Sequence, residues 1–349
     1  MSFWHNLPKP ILALAPMANV TDAAFRRIIA EESRHVRKDG TVGGPDVFWT
    51  EFVSADGLMR ASQEGKEKLM KDLIYSEEER PIVAQLFSAH PEYMEKAVQL
   101  CVTLGFDGID INMGCPDRTI EKQGCGSAMI KNPELAREIL RTATRASGGL
   151  PISVKTRIGY NKNEIETWLP ALLAERPAVI TVHARTRKEL SKVPARWEHV
   201  AHAVRIRDEL QKGIQEHERT LILGNGDVVS LQDAYTKVAE TGADGVMFGR
   251  AIFGNPWFFH PEKNVTTIPI EEKLRVLLRH TRLYELLLPH KSFAHMKKHY
   301  KAYVHEFDGA KELRAQLMDT NTAEEMETVV NTFCAQRNHT PHASATMGV

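Results

Sequence analysis

Short apolar segments alternate along the chain with longer segments in which apolar residues recur at helical spacing. Eight of the short segments have the length of strands and are bounded mainly by glycine and proline; they cover residues 11–16, 47–52, 82–87, 109–114, 152–158, 179–184, 221–226 and 245–249. Apolar runs of this length are typical of parallel strands that are buried on both faces. Eight such strands alternating with helices predict an α/β fold of the (β/α)8 TIM-barrel type.

The alternation stops after Pro261, and the rest of the chain predicts helices. Amphipathic patterns cover residues 270–288 and 292–307, and a third lies near 322–336. We therefore expect a TIM barrel over residues 1–262, a small C-terminal helical domain over 263–340 and a flexible tail over 341–349. Segment 33–46, rich in glycine and charge, is expected to be an elongated surface loop without chemistry.

Composition narrows the possible partners. The 349 residues fit a barrel of about 250 residues with an appendage. Lysine plus arginine and aspartate plus glutamate both number 45, so a nucleic-acid site would have to be a local basic patch. Four cysteines without metal-like spacing indicate free thiols in a reducing compartment and no metal site. No segment resembles a signal peptide or a membrane helix, so we expect a soluble, cytoplasmic protein. We also expect a monomer.

Cys115 follows the fourth predicted strand in the sequence Gly114-Cys115-Pro116. Because proline lacks the N–H that a sheet requires, the strand ends here and Cys115 lies in a loop at its carboxyl end. In TIM barrels this end carries catalysis. Its glycine, proline and polar neighbours favour a reactive thiol over a buried structural cysteine. Cys125, between two glycines, is better explained by close packing in a turn.

Polar residues and glycines mark the ends of other predicted strands. Gln85 lies on the third strand, Lys155 on the fifth and His183 on the sixth. A lysine in a buried strand is rarely tolerated without a partner, which favours a functional role for Lys155. The segments 224–227 and 249–250 end strands seven and eight, where barrels commonly hold a phosphate on backbone N–H groups and a helix start. Together these residues predict a planar cofactor with a phosphate tail, flavin mononucleotide (FMN).

A local basic patch lies in residues 279–301, where six lysines and arginines accompany the single acid Glu285. The helical spacing of four apolar residues predicts that they are core and leaves three lysines to solvent; the apolar residues are Met296, Tyr300, Tyr303 and Phe307, and the lysines are Lys297, Lys298 and Lys301. Such a patch is either a solvated helix face or a nucleic-acid contact. The pattern alone leaves both interpretations open.

Six motifs, in this order, resemble those of the tRNA-dihydrouridine synthases. They are Ala15-Pro16-Met17-Ala18 with Thr21-Asp22, residues 110–116, residues 154–157 with Gly159, residues 183–187, residues 224–227 and residues 249–250. The resemblance implies reduction of the C5–C6 double bond of specific uridines in tRNA, with FMN as cofactor and NADPH or NADH as electron donor. It favours Lys297, Lys298 and Lys301 as tRNA contacts.

The resemblance also implies roles for individual residues. Cys115 would be the proton donor, and Asn112 and Arg185 would face the uracil. The implied flavin site consists of Pro16, Met17, Ala18, Gln85, Lys155, His183, Asn225, Gly226, Asp227, Gly249 and Arg250.

Three other functions are compatible with parts of the sequence. An FMN-dependent barrel acting on a small molecule would keep the phosphate site but would not need a basic helical domain. An RNA-binding protein without enzymatic activity would carry no flavin. A Schiff-base aldolase would use Lys155 as its amine.

Overall fold

The computed structural model describes residues 2–339 of the chain, so the predicted tail 341–349 lies outside the described residues. Its strands are β1 (Ile11–Leu14), β2 (His35–Val36), β3 (Val42–Gly43), β4 (Phe48–Trp49), β5 (Val53–Ser54), β6 (Ile82–Phe87), β7 (Gly108–Met113), β8 (Ile152–Arg157), β9 (Val179–His183), β10 (Leu221–Asn225) and β11 (Gly245–Phe248). Its helices are α1 (Ala23–Glu32), α2 (Ala55–Arg60), α3 (Gln63–Lys71), α4 (Pro91–Thr103), α5 (Arg118–Lys122), α6 (Pro133–Ala146), α7 (Ile165–Leu173), α8 (Glu198–Leu210), α9 (Leu231–Thr241), α10 (Ile270–Leu287), α11 (Ala294–Tyr303), α12 (Ala310–Asp319) and α13 (Ala323–His339).

Parallel strands close into the predicted barrel. They pair in the order β1-β11-β10-β9-β8-β7-β6-β4, and a parallel bridge between Ala13 and Val47 joins β1 to the residue before β4. Within the predicted second strand, 47–52, the structure forms the two-residue strand β4. A separate short strand, β5, follows it and pairs with the carboxyl end of β6. Helices connect successive barrel strands, as parallel pairing requires. The TIM-barrel prediction is confirmed.

Both faces of the barrel strands are apolar for most of their length. Ile109, Val154 and Ile180 belong to the large cluster that includes the surrounding helices, whereas Val83 and Val179 belong to a separate cluster that fills the barrel interior. Because successive side chains of a strand point to opposite faces, burial of both faces produces the continuous apolar runs seen in the sequence.

Segment 33–46 is more ordered than predicted. Instead of a loop alone it forms an antiparallel hairpin of β2 and β3, with Gly40 in the turn at φ +82°. Arg37 donates to the Asp46 carboxylate at 2.5 Å and ties the hairpin to the start of the second barrel strand. Its short strands of two residues each leave too little periodic pattern for recognition from sequence.

Within residues 2–339, four helices follow the barrel instead of three. The predicted helix 292–307 ends at Tyr303, and α12 begins after Gly309, which adopts φ +80°. The four helices bury their own apolar cluster, and this cluster also contains Ala24 and Ile28 of α1. The helical region therefore packs directly on the barrel, and the domain border at residues 262 and 263 stays a prediction.

Candidate active site

The inner face of the barrel turns from apolar to polar toward the carboxyl ends of the strands. Val179 lies in the interior cluster, so Thr181 and His183, two and four positions later on β9, face inward as well. The strand register places Lys155 of β8 beside Asn112 of β7. It also places His183 of β9 beside Asn225 of β10. A polar ring thus forms above the apolar filling, built from Gln85, Asn112, Lys155, His183 and Asn225.

This ring borders a cavity of about 760 Å³, a size suited to a cofactor or small ligand. Every residue predicted for the thiol, flavin and uracil roles lines it: Pro16, Met17, Ala18, Gln85, Asn112, Cys115, Lys155, His183, Arg185, Asn225, Gly226, Asp227, Gly249 and Arg250. The structure therefore brings these residues together, and their individual roles stay predictions. Residues not selected from the sequence also line the cavity, among them Phe52, Arg157, Ser191, Val229 and Met247. Arg157 could have been found, because it lies two positions after Lys155 on the inner face of β8.

The two cysteines of the loop after β7 differ in environment. Cys115 is half-buried and lines the cavity, and burial raises the pKa of its thiol above the ordinary value. Cys125 is 1% exposed, does not line the cavity, and burial raises the pKa of its thiol to about 12. Both thiols therefore stay protonated at neutral pH, and only Cys115 can give its proton to a molecule in the cavity.

Lys155 is a half-buried cation with a neutral hydrogen-bond partner. Its Nζ donates to Asn225 Oδ1 at 3.2 Å, and no carboxylate of the described chain forms an ion pair with it. Burial, followed by repulsion from Arg157, lowers the pKa of Lys155 to about 8. A cation in this position favours a ligand that carries or develops negative charge.

His183 is neutral at physiological pH. Burial, with Lys155 and the nearby arginines, holds its pKa well below the ordinary value. The Nη1 of Arg185 lies 3.1 Å from His183 Nε2. Since a guanidinium can only donate, Nε2 accepts this hydrogen bond and the ring proton belongs on Nδ1.

Asp227 joins two of the predicted site arginines. Its Oδ2 forms a short ion pair with Arg185, and its Oδ1 accepts from Arg250 Nη2 at 2.6 Å. The hydrogen bond from Arg185 is the main reason that the pKa of Asp227 is lowered. The helix start expected after β11 is only the 3-10 turn Arg250–Ile252, so an anion here would be bound by glycine backbone and Arg250 with no long helix behind them.

The glycine at residue 226 keeps one side of the cavity open. Gly226 adopts φ +126°, and a Cβ there would lie 2.8 Å from Ala195 Cβ. A larger residue would therefore clash and would have to adopt a disfavoured backbone conformation. The backbone can approach a ligand closely at this point.

The three predicted tRNA-contacting lysines lie apart from this cavity. They line a groove between α11 and α12, which we call the α11–α12 groove; it is formed by Ala294, Lys297, Lys298, Lys301, Lys311, Arg314, Ala315 and Met318. The expectation that all three lysines point freely into solvent is wrong, because only Lys301 is exposed and the other two are half-buried. Lys298 donates to the backbone carbonyl of Asn19, close to the cavity residues 16–18. The predicted core of this helix is confirmed, with Met296, Tyr300 and Tyr303 buried and Phe307 half-buried.

Two kinds of feature are absent from the described part of the chain. None of its helices combines the length and apolar character needed to cross a membrane. Nor do residues 2–339 contain a cluster of three or more histidine, cysteine or acidic side chains arranged to hold a metal ion.

Comparison with known proteins reveals relatives that match nearly the whole chain. A sequence model of the dihydrouridine synthase family matches residues 13–340. The chain is 38% identical over 339 residues to a probable tRNA-dihydrouridine synthase of Staphylococcus aureus (strain MRSA252), covering 96% of each protein. It is 36% identical over 335 residues to probable tRNA-dihydrouridine synthase 2 of Bacillus subtilis (strain 168), covering 95% of this chain and 96% of the relative.

Solved structures show a weaker likeness. Morphinone reductase in complex with tetrahydroNAD aligns with a TM-score of 0.46 and 13% identity, over 72% of this chain and 85% of that one. Similarity at this level says nothing about activity. The sequence relatives are informative because their match spans both the barrel and the C-terminal helices.

Proposed function

This chain belongs to the dihydrouridine synthase family, and from that premise we propose that it reduces uridines of tRNA to 5,6-dihydrouridine. The proposed cofactor is FMN, and the electron donor is NADPH or NADH. The observation that carries the proposal is the position of Cys115, whose loop places a protonated thiol on the wall of a cavity that also contains Lys155 and His183.

The residues of the cavity fit a flavin. Ala15, Met17 and Met247 offer apolar surface for a planar ring, and the polar ring of the barrel offers partners for its edge. Lys155 donates to the neutral Asn225 side chain and has no ion pair among the described residues, although Asp110 attracts its charge from farther away. This environment suits a cofactor that gains electron density on reduction. Gly226, where a side chain would clash, and Gly249 and Arg250 are proposed to hold the phosphate tail.

Reduction of the uracil C5–C6 double bond adds a hydride at C6 and a proton at C5. The reduced flavin would supply the hydride, after taking two electrons from NADPH or NADH. We assign the proton to the Cys115 Sγ–H, which leaves a thiolate that solvent reprotonates. Asn112 and Arg185 are the proposed uracil contacts. One N–H of Asn112 remains for this purpose, since its other described bonds go to Gln85 and the loop backbone.

The α11–α12 groove is the proposed contact for the tRNA backbone. Its five cations are Lys297, Lys298, Lys301, Lys311 and Arg314, and no acidic residue lines it. A cationic rim over the apolar floor of Ala315 and Met318 suits phosphates beside ribose or base. The target base must leave its stack to reach Cys115, at a cost of a few kcal/mol that is smallest in a loop.

Incubation of the purified protein with tRNA from cells that lack dihydrouridine tests the proposal. We expect a yellow protein that releases FMN on denaturation and forms dihydrouridine when NADPH or NADH is added, with the modified positions read by sequencing. Flavin release without dihydrouridine formation, together with turnover of small enones or orotates, would instead support a barrel oxidoreductase for small molecules. A colourless protein that binds tRNA would contradict enzymatic activity of any flavin-dependent kind.

A further inference from the structure

A buried chain of hydrogen bonds leads through the barrel to the backbone of Cys115. Asp110, fully buried on β7, accepts from Gln85 Nε2 at 2.7 Å through Oδ2. The Oε1 of Gln85 accepts from Asn112 Nδ2 at 3.1 Å. The Oδ1 of Asn112 accepts from the N–H groups of Gly114 at 3.1 Å and Cys115 at 2.9 Å. Three side chains on two strands thus connect a buried carboxylate to the proposed catalytic loop.

The other side of the same loop is held independently. Arg157 Nε donates to the Gly114 carbonyl at 2.8 Å. Ser127 donates to the Cys115 carbonyl with its backbone N–H at 3.0 Å and with its hydroxyl at 2.9 Å. The N–H groups of Gly114 and Cys115, in contrast, have Asn112 as their side-chain acceptor, so the hold on this side depends on which way the Asn112 amide points.

The Asp110 carboxylate favours this orientation of the Asn112 amide through Gln85. An ionised Asp110 can only accept, so Gln85 must turn its NH₂ toward it and its carbonyl toward Asn112. Asn112 must then present its NH₂ to Gln85 and its oxygen to the loop. If Gln85 turned over, the Asn112 amide would also have to turn, and its NH₂ would face two backbone N–H groups that cannot accept a hydrogen bond. The Asp110 carboxylate at one end and the two loop N–H groups at the other therefore require the same direction for every hydrogen bond along the chain.

We propose that Asp110 is a positioning residue that acts through Gln85 and Asn112 to fix the loop carrying the Cys115 thiol. The inference rests on the proposed function, because it matters most if Cys115 donates a proton. The sulfur itself is not touched by Asp110. Asp110 supplies the acceptor that holds the Gln85 amide in place, and Gln85 in turn holds the Asn112 amide whose oxygen accepts from the loop.

The required property is an acceptor facing Gln85, and a full negative charge is not needed. Ser153 Oγ donates to Asp110 Oδ1 at 2.6 Å and also lies 3.3 Å from the Ile109 carbonyl. With asparagine at position 110, the amide oxygen can accept from Gln85 while its NH₂ donates to Ser153, whose hydroxyl then turns to Ile109. Asp110→Asn should therefore preserve the chain. Leucine has a shape similar to that of aspartate but offers no acceptor. In Asp110→Leu the Gln85 NH₂ therefore loses its hydrogen-bond partner, and the Gln85 amide is held less firmly.

Two measurements separate positioning from a general structural role. The first is the rate at which iodoacetamide alkylates Cys115, followed by peptide mass spectrometry, which requires neither tRNA nor turnover. The second is the single-turnover oxidation of the prereduced enzyme by tRNA, compared with reduction of the flavin by the nicotinamide. Thr181→Val is the matched control, since Thr181 is buried on the inner face of β9, two strands away from Asp110, and its hydroxyl has no described partner.

Asp110→Leu is expected to change the alkylation rate several-fold and to slow the tRNA-dependent step by about 10- to 100-fold, as a misplaced reacting group does. Because Gln85 and Lys155 also belong to the proposed flavin site, flavin content and flavin reduction need not stay untouched, but they should change clearly less than the tRNA-dependent step. Asp110→Asn and Thr181→Val should resemble the unaltered protein in every measurement. Should Asp110→Leu fail to fold, Gln85→Met removes the middle link of the chain and should likewise change the rate of Cys115 alkylation several-fold.

Three results would overturn the proposal. One is an Asp110→Asn variant as impaired as Asp110→Leu, which would assign the effect to the negative charge near Lys155. Another is unchanged alkylation and turnover in Asp110→Leu, or unchanged alkylation in Gln85→Met. The last is an equal loss in flavin reduction and in the tRNA step. An unaltered protein that forms no dihydrouridine would refute the proposed function, while the alkylation comparison would still test the hydrogen-bond chain.

Discussion

At the scale of single residues, one side of the Cys115 side chain packs against apolar residues and the other side faces the cavity. Its side chain packs against a small cluster that includes Phe52, Phe87 and Ile120, and it also borders the main cavity. Burial raises the pKa of the thiol, which keeps the proton on sulfur at neutral pH. These are the properties of a general acid, whereas a nucleophilic cysteine needs a lowered pKa.

Replacement of Cys115 by alanine should remove one step and spare the others. Flavin binding, reduction by the nicotinamide and tRNA binding do not need the thiol. Oxidation of the prereduced enzyme by tRNA should slow by roughly a hundred- to ten-thousand-fold, measured in single turnover. Restoration of the rate by a small thiol or another acid added to Cys115→Ala would support the assignment.

Cys125→Ala is the control for this variant. It should keep the rate, but because Cys125 is buried we expect a loss of about 1–2 kcal/mol in the free energy of unfolding, measured by denaturant titration. If Cys125→Ala lost the tRNA step and Cys115→Ala kept it, the acid would be Cys125. Full rates in both variants would point to a different proton donor.

Lys155 and Cys115 should differ in how the reaction steps that depend on them respond to pH. Lys155, with a pKa of about 8, is protonated below that pH and loses its charge above it. If its charge stabilises the reduced flavin, the rate of flavin reduction should fall as the pH rises through about 8. The proton step should stay constant over this range, since burial raises the pKa of the Cys115 thiol above its ordinary value.

The variant Lys155→Arg tests whether Lys155 causes the fall in flavin reduction near pH 8. An arginine remains charged at any pH tested, so the fall near pH 8 should disappear in stopped-flow measurements of flavin reduction. The same fall in Lys155→Arg would exclude Lys155 as its origin. Steady-state rates are not suitable here, because they mix the two steps.

At the scale of elements, the turn between α11 and α12 creates the basic groove. Gly309 adopts φ +80° before α12, a conformation that glycine reaches without strain. The chain can therefore reverse within a few residues, so that Lys301 of α11 and Lys311 of α12 line the same groove. The charge pattern of α11 alone shows only half of this surface.

Reversal of three groove charges should weaken tRNA binding. For the variant Lys297→Glu, Lys301→Glu and Lys311→Glu we expect a Kd about 10- to 100-fold higher at moderate salt and a shallower salt dependence, because fewer counterions are released. Fluorescence anisotropy with labelled tRNA measures both. Lys298 is left intact because its contact with the Asn19 carbonyl reaches the loop beside residues 16–18 of the cavity.

The matched control reverses two exposed lysines elsewhere, Lys38 in the hairpin and Lys212 after α8. It changes the net charge by four units, against six for the groove variant, so a purely global effect would appear in both. Equal weakening by the two variants, or none by the groove variant, would make the α11–α12 groove an ordinary solvated surface.

At the scale of the whole molecule, a buried ion cluster joins the helical region to the barrel mouth. Lys291, between α10 and α11, lies 2.5 Å from Glu51 Oε2 and 2.8 Å from Asp72 Oδ1, and its side chain is 11% exposed. Although burial opposes its charge, Glu51 and Asp72 raise the pKa of Lys291. Glu51 also accepts from the Asn19 N–H, so the cluster supports the same loop that Lys298 contacts.

Removal of this lysine should destabilise the protein strongly. Lys291→Met removes the cation that both carboxylates contact, and breaking a buried pair from one side typically costs about 3–5 kcal/mol. Differential scanning calorimetry measures the loss. The double variant Lys291→Met with Glu51→Gln should regain part of it, because one uncompensated charge is removed. An unchanged melting temperature in Lys291→Met would show that the cluster is solvated in solution.

The sequence by itself determined the elements and the position of the thiol. Strand runs and helix periods depend on neighbours within a few residues, which is why the strand predicted over 82–87 coincides with β6 and why Cys115 was placed after a strand. Once eight parallel strands form a barrel, their carboxyl ends must meet, so the clustering of Lys155, His183 and Asn225 follows from the fold class.

Only the tertiary structure decided how those side chains share their partners. Asp227 neutralises Arg185 from 42 positions away, Asp110 orients Gln85 across 25, and Lys298 reaches Asn19 across 279. Hydrogen bonds of this kind depend on ångström-scale distances between segments far apart in the chain, and no local pattern of residue types records those distances. The sequence identified which groups meet at the barrel mouth, and the packing of the barrel and helices set which of them remain free for a ligand.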